Sequence, residues 1–250
     1  MLDAFKRLIA RKSAESEWSE VSAWAQRQRL NFKRVRDEGG GFVIDGAIDN
    51  KPWRLEWGPP QRQYIEGHEL RIRMELGLSP NLQMLVLTQS LFETLERSAF
   101  ESFTESTQTV IDSNAPEEMR WLVMFPKASV KAAKTVRQHF HFTGGTEGDA
   151  ERWVEGPLAE QLEKADVGFL ADQPPFILMT LRGRVYLRMQ LRDPDPRTLG
   201  GAVSLFQCAV AQAIRTAATV TDADAAARDW SHSDSSTAWQ TLGPEPPKKP

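Results

Sequence analysis

His139 and His141 stand two residues apart, a spacing that could do chemistry if the segment is extended. On a strand both imidazoles would face one side, opposite Val136, Gln138, Phe140 and Phe142, and would begin a site for Zn²⁺ or Cu²⁺. Such a site needs further ligands, and the remaining histidines are His68 in a predicted loop and His232 near the C-terminus. The expectation is two solvated strand histidines and no bound metal. His68-Glu69 lacks the second histidine of a metalloprotease helix, and no Gly-x-Ser-x-Gly elbow occurs.

Other chemical motifs are equally incomplete. Gly39-Gly40-Gly41 runs into Phe42 rather than Lys-Ser or Lys-Thr, so it lacks the cation of a phosphate loop and reads as a hairpin turn. Cys208 lies among Phe206, Ala209 and Val210, where an apolar setting suppresses the thiolate. No catalytic residue, cofactor or metal ligand is assigned. The loop Gly58-Pro59-Pro60-Gln61-Arg62-Gln63-Tyr64 is stiffened by two prolines and holds one of two tyrosines, which makes Arg62 and Tyr64 candidate interaction residues. Arg27, Arg29, Lys33, Arg34 and Arg36 gather around Phe32 and Trp24, but Asp37 and Glu38 follow at once. Outward Arg54 with Glu56, and Arg71 and Arg73 with Glu75, read instead as cross-strand charge pairs on the wet face of a sheet.

The elements that must position these residues follow from periodicity. Leu2, Phe5, Leu8 and Ile9 share one arc of a short basic helix over Leu2–Lys12 and complete the candidate interaction set. A second helix, capped by Ser16, is predicted over Glu17–Arg29. The period then changes to two, giving a meander of Phe32–Arg36, Phe42–Ile48 and Trp53–Trp57, followed by Leu70–Leu76, whose alternation sends Leu70, Ile72, Met74 and Leu76 inward. Leu82–Leu87 and Met119–Phe125 are apolar on both faces and read as central strands flanking a helix over Ser90–Glu105. Strand Val136–Phe142, helix Asp149–Lys164, strands Phe176–Leu181 and Val185–Leu191 joined at Arg182-Gly183, and a buried helix Leu199–Val220 complete the order. Ile72–Leu76 resembles Leu187–Leu191, with Ser-Leu-Phe following each, a similarity that chance accounts for better than duplication.

The fold class expected is α+β, a mainly antiparallel sheet in two lobes with packed helices, an N-terminal amphipathic helix over 1–15 and a disordered tail over 221–250. The larger lobe is placed at 16–145 and the smaller at 146–220. With 250 residues the chain can bury a sizeable core without metal or disulfide support. Against 31 Lys and Arg stand 34 Asp and Glu, a net charge of −3 that argues against a dedicated nucleic-acid binder. No apolar run is long enough to span a bilayer, and Met1–Glu15 shows no signal-peptide pattern, so the expected compartment is the cytoplasm. The function expected is a non-catalytic protein–protein interaction or adaptor role with a protein partner. The alternatives are an enzyme with a site assembled from Gln61–His68 and His139/His141, and weak membrane-surface association through residues 2–12.

Overall fold

The computed structural model describes residues 18–35, 39–105 and 116–219. The expected Leu2–Lys12 helix, the Ser16 cap and the 221–250 tail lie outside the described residues. Within them the protein is α+β, with seven helices and one eight-stranded sheet whose neighbouring strands are all antiparallel.

Helix α1 (Ser19–Arg27) precedes a four-stranded meander, β1 (Asn31–Val35), β2 (Gly41–Ile48), β3 (Lys51–Gly58) and β4 (Glu69–Glu75). Strand β5 (Met84–Thr88) leads into α2 (Gln89–Glu105), and α3 (Glu117–Met124) and α4 (Lys134–His139) precede β6 (Phe140–Gly144). Helices α5 (Asp149–Val154) and α6 (Pro157–Asp166), the hairpin β7 (Phe176–Leu181) and β8 (Arg184–Gln190), and α7 (Pro196–Thr219) complete the chain. Spatially the strands run β1-β2-β3-β4-β8-β7-β5-β6. Thus β7 and β8, from the segment assigned to a smaller lobe, lie between β4 and β5 in one sheet. Ile72 and Leu187, from the two similar pentapeptides, face each other across β4 and β8.

Turn chemistry sets the register. Asp49 and Asn50 have φ of 49° and 63°, and Arg182 and Gly183 have 51° and 77°. Two consecutive left-handed residues suit a tight hairpin because they match the twist of the flanking strands. With register fixed, alternate side chains fall on opposite faces.

The inner face is largely apolar, with Thr88 and Thr180 buried among its side chains. One cross-sheet row reads Ile44, Leu55, Ile72, Leu187, Leu178, Val86 and Phe142 from β2 to β6. Helices α1, α5, α6 and α7 cover this face. In α1, Val21, Trp24 and Ala25 recur at helical spacing and are buried. Trp18, just before it, packs edge-on to Trp57 with ring centroids 4.9 Å apart. The long α7 buries ten residues, including Gln212, whose carbonyl accepts the Thr216 hydroxyl.

Three sequence expectations are corrected here. Met119–Phe125 is not a central strand but most of α3. An apolar run this short fits either structure, and Pro116 followed by Glu117 and Glu118 supplies a helix start that complements the N-terminal dipole. The strand expected over Val136–Phe142 is helix through His139 and strand only from Phe140, so His139 and His141 share no strand face. The helix expected over Asp149–Lys164 breaks at Gly156, which has φ of 78°, with Pro157 opening the next helix, where its missing N–H costs nothing.

Candidate interaction face

The outer face of the same sheet is divided. From β1 to β6 one row reads Lys33, Val43, Glu56, Arg71, Arg188, Ile177, Leu87 and His141, and the next reads Asn31, Asp45, Arg54, Arg73, Tyr186, Met179, Leu85 and Thr143. Charged residues dominate through β8, and apolar ones predominate from β7 onward. The apolar part is covered by α2 and α3, where Leu91, Leu95 and Trp121 form a second core with Leu85, Leu87, Ile177 and Met179. No helix of the described residues covers the charged part.

On this open part the arginines are held by neighbouring carboxylates. Arg54 donates to Asp45 from Nε at 2.7 Å and Nη2 at 3.4 Å, and this bond pulls the Asp45 carboxyl below its ordinary value despite some burial. Arg71 and Arg73 both reach Glu56, at 3.4 and 3.3 Å, while Arg184 pairs with Glu75. The charge pairing expected on a wet face is therefore present, with a different set of partners. Arg54 lies directly opposite Arg73, and Arg71 directly opposite Arg188. Like charges in such positions repel, and fully buried Glu69 relieves the second pair by accepting from Arg188 at 2.6 Å and Arg71 at 3.2 Å. Glu69 also accepts the Gln61 backbone N–H at 2.7 Å, which ties the β3–β4 loop to the sheet.

The same loop places Arg62 and Tyr64 at the seam between the open and covered parts. Arg62 Nε donates to Glu118 Oε1 at 2.6 Å, and the Tyr64 hydroxyl donates to the same oxygen. Glu118, on α3, is 1% exposed. Burial pushes its carboxyl upward, but Arg62 and the Tyr64 hydroxyl outweigh burial and hold it below the ordinary range. Burial, then the Glu118 charge, pushes the Tyr64 phenol far upward. Both loop residues thus clasp α3. Leu2, Phe5, Leu8 and Ile9, the other candidate interaction residues, lie outside the described residues. His68, at the end of the loop, stacks on Trp57 with ring centroids 4.2 Å apart.

The two histidines from the β6 region have separate settings. His139 Nδ1 lies 2.8 and 2.9 Å from the two oxygens of buried Asp166, which also accepts from Gln173 Nε2 at 3.1 Å. His141 is 5% exposed, stacks on Phe92 with centroids 3.8 Å apart, and leaves Nδ1 without a partner. Strand β6 is four strand spacings from β4, about 19 Å, with β8, β7 and β5 between. The contacts of the Gln61–His68 loop run to Glu69, Glu118, Trp57 and Gln190, and those of the two histidines to Asp166 and Phe92. Among the described residues no group of three or more His, Cys, Asp or Glu is arranged to hold a metal ion, and no helix is long and apolar enough to cross a membrane.

Sequence reasoning missed Glu69, Glu118 and Asp166 as organising acids. The signal for Glu118 was its place after Pro116 at a helix start. Glu69 carried no local signal, because one of its partners, Arg188, is 119 positions away.

No family model matches the chain, and no curated protein matches its sequence. Among solved structures the chain is similar to the crystal structure of the mycobacterial trehalose monomycolate transport factor A, TtfA, with a TM-score of 0.45 and 8% identity. The similarity covers 79% of this chain and 93% of that one. A likeness of that extent carries no functional argument.

Proposed function

We propose that this chain is a non-catalytic protein–protein interaction or adaptor protein, working in the cytoplasm. The observation that carries the reading is the outer sheet face, of which the part formed by β1 to β4 and β8 presents charged side chains, Arg54, Arg73 and Arg184 among them half-exposed, over which no helix of the described residues packs. An extended, charged sheet surface cross-linked by ion pairs suits recognition of another macromolecule better than it suits sequestering a small substrate. The perturbed groups fit the same reading, since Glu118 and Asp45 are held in ion pairs with Arg62 and Arg54, and Tyr64 donates to Glu118, contacts that fix the scaffold.

Affinity purification of the full chain from its native cell, with and without residues 1–12 and 221–250, tests the proposal. A stoichiometric protein partner is the expected result. Recovery of the chain alone, together with turnover of a small molecule, would favour an enzyme, for which the half-exposed His139 held by Asp166 is the best acid–base group. Salt-sensitive flotation with anionic vesicles, lost in Phe5→Glu, would favour the membrane-surface reading of residues 2–12.

A further inference from the structure

We infer that the arginine-lined end of the open sheet face is a docking site whose occupant is an acidic protein segment, contributing carboxylates to Arg54, Arg73 and Arg184. This rests on the interaction reading above and specifies its partner.

Charge is the first argument. The outward positions of β1 to β4 and β8 carry Lys33, Arg54, Arg71, Arg73, Arg184 and Arg188 against Asp45, Glu56, Glu69 and Glu75. Six cations against four carboxylates leave an excess of two positive charges on this face of a chain whose net charge is −3. The second argument is geometric. Arg54, Arg73 and Arg184 line an open depression of about 380 Å³, together with Asp45 and Glu75. Their side chains are 45%, 54% and 51% exposed. Arg54 and Arg73 stand directly opposite one another, and unlike Arg71 and Arg188 they share no buried acid between them. Arg73 reaches Glu56 through Nη2 alone. A guanidinium has five N–H donors in a fixed fork, so these arginines can accept a further carboxylate without releasing the one they hold.

The interspersed acids select the class of partner. A nucleic acid or an anionic bilayer presents unbroken negative charge, which Asp45, Glu56 and Glu75 would repel. A protein segment can place its carboxylates singly, over the arginines and away from the acids.

The test uses the full chain and a fluorescein-labelled peptide of spaced glutamates, a Glu-Ser-Gly repeat, followed by fluorescence anisotropy at low and physiological salt. The expected result is saturable, salt-weakened binding that falls about tenfold in the double variant Arg73→Gln/Arg184→Gln. Arg137→Gln, an exposed arginine on α4, should leave it unmoved. Circular dichroism establishes that each variant folds. Absence of saturable binding, equal weakening by Arg137→Gln, or tighter binding of a DNA duplex or phosphatidylserine vesicles would overturn the proposal. Binding that tightens about tenfold when 221–250 is removed would make the chain's own acidic tail the occupant and overturn the external partner. A protein captured from the native cell equally by wild type and the double variant would overturn this site while leaving the interaction reading standing.

Discussion

Between β8 and β7, two adjacent strands of one sheet, the outward side chains change from Tyr186 and Arg188 to Met179 and Ile177. On the β7 side these side chains are removed from water by α2 and α3, and each large aliphatic group contributes about 1.5–3 kcal/mol. On the β8 side the outward pairs toward β3 and β4 remain partly solvated, and pairs of that kind contribute about 0–1 kcal/mol each. The covered part thus carries folding energy, whereas the open part is free to be selected for what it binds. Glu69 and Glu118 belong to neither description. They are buried charges at the seam, where the loop clasps the sheet and α3.

The seam residues offer the largest expected effect. Glu69→Ala leaves Arg71 and Arg188 facing each other without the buried acid and frees the Gln61 N–H, so urea unfolding should register a loss of about 3–5 kcal/mol. A loss below about 1 kcal/mol would place Glu69 with the surface pairs and erase the distinction. Next in size is the covered part itself. Ile177→Ala opens a cavity against Leu85, Leu87 and Trp121 and should cost about 3 kcal/mol in the same assay.

A pH titration sharpens the contrast at the far end of the covered part. His141 lies under α2 on Phe92, and burial, then the charge of Lys127, pull its pKa down to about 4. In the unfolded chain the value is about 6.5, so between the two the unfolded state binds more protons and stability rises with pH. The contribution is fully present above pH 6.5 and is lost as pH falls to about 4, a change of at most about 3 kcal/mol. His141→Phe preserves a ring against Phe92 and should remove this slope. An unchanged slope would assign the pH dependence to carboxylates such as Glu118.

Much of this division was legible where the chain alternates. Leu70–Leu76 assigns its own inner and outer faces, and the hairpin at Arg182-Gly183 fixes β7 against β8, because both depend on residues near in sequence. Met119–Phe125 and Val136–Phe142 were not legible, since short apolar runs fit either period and tertiary packing decided between them. The seam lay beyond local reasoning for another reason. Arg62 and Tyr64 stand out in a proline-stiffened loop, but their common partner Glu118 lies 56 and 54 positions away. The order β4-β8-β7-β5 that brings Arg188 to Glu69 is a property of the whole topology.

The smallest expected effect is on the open part and is the most discriminating. Arg73 is 54% exposed, reaches Glu56 at 3.3 Å and stands opposite Arg54. Arg73→Ala removes one weak surface attraction and one cross-strand repulsion together. These terms oppose each other and are screened by solvent, so the net change in unfolding free energy should stay within about 0.5 kcal/mol of zero. Added salt should alter that difference little, because it weakens both terms. The same substitution should nonetheless weaken binding of the spaced-glutamate peptide, so stability and recognition separate at a single residue. A stability loss above about 1.5 kcal/mol would mean that Arg73 is coupled into the buried Glu69 network, and the open part would then hold the fold together as the covered part does.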